Sequence, residues 1–340
     1  MIWLTWRQFR VQALTALIAA AALAAVLAMT GRRIADLARR GAEQLYDLLT
    51  STDVSLFWAG LIVVAGVPAV LGAFWGAPLV ARELESGTHR LAWTQSVTRT
   101  RWLVTKVAVT ALAAALTAGL VTLAVTWWSH PLDGIAGSTR GSLPGHLTPV
   151  SFAMRGVVPV AYAVFAVTLG VTLGAVLRRP IPAMALTLVL YVAVQVAVPL
   201  WVRPHLVAPT GATIAISKDT LDSISLDPSS GTESITVHTA DRGDWILSND
   251  TLDASGHLAP LPGWLNQCSA SPPTNVQGAV QAQPVDPCLA RLTAQGYTQR
   301  VVYQPAGSFW TIQWAETGLY LVASVLLAAF CVWWVRDRLS

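Results

Sequence analysis

Residues 54–81 read VSLFWAGLIVVAGVPAVLGAFWGAPLVA, and these 28 positions between Asp53 and Arg82 carry no charged side chain. Roughly 20 apolar residues in a helix cross the hydrocarbon core of a bilayer, so the run is long enough to span with turns to spare. Five more runs behave alike. Uncharged residues number 21 between Arg10 and Arg32, 26 between Lys106 and Asp133, 22 between Arg155 and Arg178, 23 between Arg179 and Arg203, and 19 between Glu316 and Arg336. The interval between Asp253 and Asp286 is also free of Lys, Arg, Asp and Glu, but its Pro, Gly, Ser, Asn and Gln exclude burial in lipid.

Composition agrees. Of 340 residues, 54% are hydrophobic and 12% charged, and the mean hydropathy is +0.53, outside the range of ordinary soluble domains. Indole rings favour the headgroup level, and 12 of the 15 tryptophans lie near a span end: Trp3, Trp6, Trp58, Trp75, Trp102, Trp127, Trp128, Trp201, Trp310, Trp314, Trp333 and Trp334. The expected spans are Val11–Met29, Leu56–Leu79, Val104–Trp127, Gly156–Leu177, Ile181–Trp201 and Thr311–Val335. Only Arg178-Arg179-Pro180 separates the fourth from the fifth, which makes these two antiparallel neighbours.

The fold class expected is an all-α polytopic membrane protein with six transmembrane helices, an N-terminal interfacial helix and an extracytoplasmic α+β domain between helices 5 and 6. Its divisions are residues 1–202, 203–310 and 311–340. With the N- and C-termini cytoplasmic, the inner segments hold Arg7, Arg10, Arg82, Arg90, Arg99, Arg101, Lys106, Arg178, Arg179, Arg336 and Arg338, half of the 22 bases in short loops. Arg32, Arg33, Arg39 and Arg40 run against this rule. GRRIADLARRGAEQLYDLL (31–49) is therefore read as an amphipathic helix on the outer headgroups, with Ile34, Leu37, Leu45 and Leu48 toward lipid. A cleavable signal peptide is the competing reading of the first thirty residues; five later spans and the amphipathic lead-in weigh against it.

The polar segment from Arg203 to Gly307 has the length of a domain. Alternation in Thr213–Ser217 and Ser234–His238 predicts strands, and Asp286-Pro287 before CLARLTAQ and Gly296 predicts a short helix. Its nine acids outnumber Arg203, Lys218, Arg242, Arg291 and Arg300, so the overall basicity belongs to the membrane part and implies no nucleic acid. Cys268 and Cys288 are expected to form a disulfide across a short loop, worth about 3 kcal/mol, while Cys331 sits alone in the last span. A zinc site from His257, Cys268 and Cys288 lacks the close ligand pairing such sites use, so no metal is expected.

No catalytic constellation emerges. The two lysines, Lys106 and Lys218, follow Thr and Ser rather than Gly, so no P-loop exists, and neither His-Glu-x-x-His nor Gly-x-Ser-x-Gly occurs. On the inner side Glu83, Glu85 and Asp337 are the acids. Two positions apart on a helix, Glu83 and Glu85 project about 200° apart, so one is free to hold Arg82 or Arg90 while the other faces a partner. The alternative is a solvated turn whose charges only fix topology. Within the spans, Thr117, Tyr162, Tyr191 and Gln195 are polar, and Glu316 lies near the outer end of the sixth. Gln195 and Glu316 are candidates for a translocation path; packing glue and a snorkelling interfacial charge are the alternatives. Gly72–Gly76 and Gly170–Gly174 are small-xxx-small pairs, which suit helix packing within a chain or a dimer seam.

The stretch Glu83-Leu-Glu85-Ser-Gly87-Thr88, followed by Ser96-Val-Thr-Arg99-Thr-Arg101 and Lys106, resembles the first cytoplasmic loop of the ATP-binding-cassette type-2 permease family. Tyr303-Gln-Pro-Ala-Gly-Ser-Phe-Trp310 with Gln313 and Glu316 resembles the approach to the last helix in permeases of GC-rich bacteria. The resemblance implies a permease subunit of a bacterial plasma-membrane exporter, pairing with a second permease chain as a homo- or heterodimer. A separate P-loop ATPase would carry ATP and Mg, with no cofactor on this chain. Glu83, Glu85, Gly87, Thr88, Arg90, Arg99 and Arg101 would form the loop that docks on it. The cargo implied is a lipid, antibiotic or peptide, because the spans show no buried charges. A membrane sensor or scaffold with a ligand-binding outer domain is the rival reading.

Overall fold

The structure, a computed structural model, describes residues 2–39, 48–87, 98–133, 143–226, 233–241, 243–267 and 285–338. Among these, six helices are long and apolar enough to cross a membrane: Arg10–Ala38, Ser51–Glu85, Arg99–Leu132, Val158–Leu177, Pro180–His205 and Ala306–Asp337. They occupy the six charge-free runs.

Helix α1 runs unbroken from Ile2 to Ala38. The sequence contains no proline here, and the one glycine, Gly31, is where Trp127 and Trp128 press closest: a Cβ there would lie 2.8 Å from the Trp127 ring. At 1.5 Å per residue the helix is about 55 Å long, so it projects beyond a hydrocarbon core of roughly 30 Å. This corrects two expectations. Neither the N-terminal segment nor the segment from Gly31 to Ala38 is a separate interfacial helix, and Ile34 does not face lipid. It is fully buried against Leu27, Trp128 and Leu132, with Leu37 packed beside it.

Helix α2 (Ser51–Leu71) starts on a capping box, in which the Thr50 hydroxyl accepts from the Asp53 amide and the Asp53 carboxylate accepts from the Thr50 amide. The same carboxylate receives Arg33 of α1, so a single buried aspartate starts one span and ties it to another. A π-helical turn, Gly72–Gly76, leads into α3 (Ala77–Glu85). Helix α4 (Arg99–Ser129) follows, then the short α5 (Pro149–Phe152) and α6 (Val158–Leu177).

Helix α6 is the centre of the bundle, with 72% of its apolar window buried against 17–33% for the other spans. Its glycines make this possible. A Cβ on Gly170 would sit 2.3 Å from the Gly72 carbonyl oxygen, and one on Gly174 would sit 2.3 Å from that of Ala77. The reverse holds too, since a Cβ on Gly72 or Gly76 would come within 2.6 Å of the Ala166 or Val167 carbonyl. The two small-xxx-small pairs therefore meet each other inside one chain, backbone on backbone. Arg178 takes a left-handed conformation (φ 58°) and Arg179 an extended one, and Pro180 opens α7 (Pro180–Ala197) in its first turn. The tight turn makes α6 and α7 neighbours as expected.

Between α7 and the last helix, α9 (Phe309–Asp337), the chain forms a strand-bearing insertion. Strands β1 (Thr210–Ala215), β5 (Thr298–Gln304) and β4 (Trp245–Leu252) make an antiparallel sheet in the order β1-β5-β4, and β2 (Leu221–Leu226) pairs with β3 (Glu233–Val237). Helix α8 (Val285–Ala294) ends before Gly296, whose φ of +80° stops it. Ile216, Ile235, Val237, Leu265, Leu289, Leu292 and Val301 form a core separate from that of the bundle. Thus α8 follows the Asp-Pro signal, β3 lies one residue ahead of the expected Ser234–His238, and β1 overlaps the expected Thr213–Ser217 only over Thr213–Ala215.

Tryptophan placement divides. Trp58, Trp127, Trp201, Trp310, Trp314 and Trp333 are exposed on the bundle, whereas Trp75, Trp102 and Trp128 are buried in it. Trp128 donates its indole N–H to the Thr30 hydroxyl at 2.9 Å, which satisfies the polar edge inside the protein rather than at a headgroup.

Candidate functional site

At one end of the bundle α3 and α4 converge on the segment that the loop motif predicts. Glu83 and Glu85 share the last turn of α3 and differ completely in surroundings. Glu83 accepts from the ammonium of Lys106 on α4, which is buried and stands 4.8 Å above the Trp102 ring. Glu85 points to the exterior, as does Arg82. Among the described residues the inward carboxylate pairs with Lys106 rather than with the exposed Arg82, and Arg90 lies outside them. The reason is burial: an ammonium inside the bundle requires a counter-charge more urgently than an exposed guanidinium does. Ser86 closes α3 with a hydroxyl bond to the Arg82 carbonyl, 2.8 Å, and Gly87 follows at φ +71°. Across the gap, Thr98 caps α4 by accepting from the Arg101 amide, 3.3 Å. Arg99 is half-buried and Arg101 exposed. Thr88 and Arg90 lie outside the described residues.

The opposite end holds a cluster that reading the sequence missed. Arg203, at the end of the fifth span, donates Nε to Glu316 Oε2 at 2.7 Å and Nη2 to Oε1 at 3.0 Å. Both side chains are fully buried. The guanidinium also donates to the Pro149 carbonyl at 3.0 Å and lies 4.4 Å over the Phe152 ring, while Tyr162 donates its hydroxyl to Glu316. One turn earlier on α9, the Gln313 carbonyl accepts from the Val157 and Val158 amides at 3.1 Å, and its NH2 donates to the Phe152 and Arg155 carbonyls. One turn later, Tyr320 donates to Gln195, which donates to the Tyr191 hydroxyl.

This corrects the picture of Glu316 as a snorkelling charge and of spans without buried charge. Gln195 and Glu316, the candidates for a translocation path, spend these polar atoms on the protein itself. The sequence did carry one signal. Arg203 and Glu316 are the charges that border the insertion on either side, and a charge at each flank of one loop is a pair in waiting. Asp53 with Arg33 and Arg155 with Asp133 complete the set, so each buried charge of the described spans and their ends has a counter-charge.

The insertion is rooted in this cluster. Gln304 donates to the Val207 carbonyl at 2.7 Å, the Ala306 amide donates to Asp244 Oδ1 at 2.8 Å, and Trp245 packs with Leu147, Phe152 and Ile312 of the bundle. Cys288 is buried beside Leu289 in the insertion, Cys331 is a buried free thiol, and Cys268 lies outside the described residues.

Residues 8–203 match the family described as ABC-2 membrane transporter related. The chain belongs to that family. No curated protein and no solved structure matches it. A member of this family with six such helices is a multi-pass membrane protein of permease type, and members in general work with an ATPase partner. The match takes in the first five spans and the loop after Glu85, and it ends at Arg203. The Arg203–Glu316 ion pair thus joins the last matched residue to the unmatched sixth span.

Proposed function

We propose that this chain is the transmembrane permease subunit of an ABC exporter, driven by a separate P-loop ATPase that supplies ATP and Mg chemistry. The reading is carried by family membership across residues 8–203. In it, Glu83 and Lys106 lock α3 to α4 so that the intervening loop moves with both spans, and Glu85, Gly87, Thr88, Arg90, Arg99 and Arg101 present the docking face. A rigid helix pair transmits displacement from an ATPase to the bundle better than a flexible loop does.

The loop end is cytoplasmic in this reading, in a bacterial plasma membrane, and the insertion is extracytoplasmic with Cys268 joined to Cys288. Two such chains, identical or not, form the path. A lipid, antibiotic or peptide suits the bundle better than an ion, because the buried charges of the described residues are already neutralised by one another. Gln195 and Glu316 hold the bundle and the insertion root together rather than touch cargo. The test is co-purification of an ATPase with the intact chain and its loss on reversing the charge of Glu85.

A sensor or scaffold role is favoured by one observation, the separate core of the insertion beyond the matched range. Purification with a signalling regulator and no ATPase would select it.

A further inference from the structure

Where the insertion meets the bundle, a cavity of about 360 Å3 lies between the start of α5, at Thr148 and Pro149, and the insertion, at Asp222, Asp241, Asp244 and Trp245. The two walls touch at Gly243: a Cβ there would lie 2.9 Å from His146 Cε1 of the bundle and 3.1 Å from Asp241 Oδ1. No lysine or arginine among the described residues lines the space. None of the three aspartates forms an ion pair among those residues, whereas the buried acids of the bundle each have a cation.

Asp241 Oδ1 accepts from the Gly243 amide and Asp244 Oδ1 from the Ala306 amide, both at 2.8 Å. These bonds fix the two carboxylates and leave the second oxygen of each without a donor among the described residues. Carboxylates in a concave site reinforce one another's field and attract cations. They do not gather as a metal cage does, since no three acids, histidines or cysteines among the described residues stand close enough to hold one ion. The cations that suit them are therefore spread over a larger molecule.

Trp245 adds an independent requirement. The side chain is 8% exposed, and its indole N–H has no acceptor among the described residues. A nearly buried donor left unpaired is disfavoured. The atoms sealed in the interior without a partner include Gln304 Oε1 but not Trp245 Nε1, so this N–H keeps an opening, and the space that Trp245 lines is the cavity. A ligand here must accept a hydrogen bond as well as carry positive charge.

We propose that the cavity binds a small organic cation bearing several ammonium groups and an oxygen acceptor, an amino sugar by chemical class. Its ammonium groups donate to Asp222, Asp241 and Asp244, and a hydroxyl or ring oxygen accepts from Trp245 Nε1. A plain polyamine supplies the charges without the acceptor, and a neutral sugar the acceptor without the charges. One wall belongs to the bundle and the other to the insertion, so occupancy ties the two together next to Pro149, whose carbonyl already holds Arg203. The inference concerns binding and stands apart from whether the chain transports anything.

The experiment is calorimetric titration of the full chain in nanodiscs with neamine, spermidine and sucrose. The site predicts saturable binding of one neamine per chain, weakened by salt, on the order of tenfold tighter than spermidine, with no binding of sucrose. Asp222→Asn combined with Asp241→Asn changes two exposed side chains, so the melting temperature stays as it was while neamine binding falls on the order of tenfold or more. Trp245→Phe keeps the packing and lowers affinity for neamine but not for spermidine. Absence of saturable neamine binding to the unaltered chain overturns the proposal, a result that depends on no variant. Equal affinity for neamine and spermidine does so too, because charge alone would then suffice. Arg242 lies outside the described residues, and binding that arises only in Arg242→Ala would assign the three carboxylates to the chain's own guanidinium and likewise overturn it.

Discussion

Arg203 and Glu316 stand 113 residues apart in the chain and meet as a doubly hydrogen-bonded ion pair with no exposed surface. The entire insertion lies between them. The pair therefore fixes the place where the polypeptide leaves the bundle to the place where it returns. Desolvating two charges is costly, and here the cost is offset by the further bonds from Tyr162 to the carboxylate and from the guanidinium to the Pro149 carbonyl.

Removing either partner alone strands a buried charge. Arg203→Leu or Glu316→Leu is expected to lower stability by about 3–5 kcal/mol, and the double substitution by clearly less than the sum of the two. Thermal unfolding in detergent of the four proteins measures this. Additive losses would mean that the two side chains do not interact.

The central helix makes a second, steric prediction. Gly170→Ala places a methyl 2.3 Å from a backbone carbonyl, which has no rotamer in which to retreat. The cost expected is about 1–3 kcal/mol or more, visible as aggregation or a lowered melting temperature on size-exclusion analysis. Gly66→Ala, facing open space, is expected to be neutral or to gain up to about 1 kcal/mol from helix propensity. Equal behaviour of the two variants would remove the backbone contact from the account.

The six spans were legible because lipid admits few charges, and the absence of Lys, Arg, Asp and Glu over about twenty residues is a one-dimensional signal. The strands β1 and β3 and helix α8 were legible from alternation and from a start and stop. The pairings were not. Glu83 finds Lys106 and Arg203 finds Glu316 through packing of spans distant in sequence, and no local pattern encodes which charge meets which. Arg33 and Ile34 misled for the same reason: a basic, periodic stretch after a span reads as an interfacial helix, yet Asp53 and Trp128 wait beside it in the fold. Likewise the glycine pairs announced close packing but not that they pack on one another.

At the loop end, neighbouring carboxylates should separate by function. Glu85→Arg is expected to weaken association with the ATPase on the order of tenfold while leaving the melting temperature unchanged. Glu83→Gln strands the Lys106 ammonium and should instead destabilise the chain, by about 3 kcal/mol or less given the partial exposure of the carboxylate. Pull-down and melting curves on both variants check the split. The reverse pattern would place the contact on Glu83.

For the insertion, mass spectrometry of the non-reduced protein should recover peptides linked through Cys268 and Cys288, with Cys331 alkylated only after unfolding. Free thiols at both insertion cysteines would argue against an oxidising compartment.

The measurement that bears most directly on the permease reading is purification of the intact chain from its native membrane in mild detergent, with ATP hydrolysis assayed on the product. The account predicts a P-loop ATPase in stoichiometric amount, lost when Glu85 is changed to Arg in a chain that still folds. Recovery of the folded chain without any ATPase, or with one that binds the Glu85→Arg protein equally well, would contradict it.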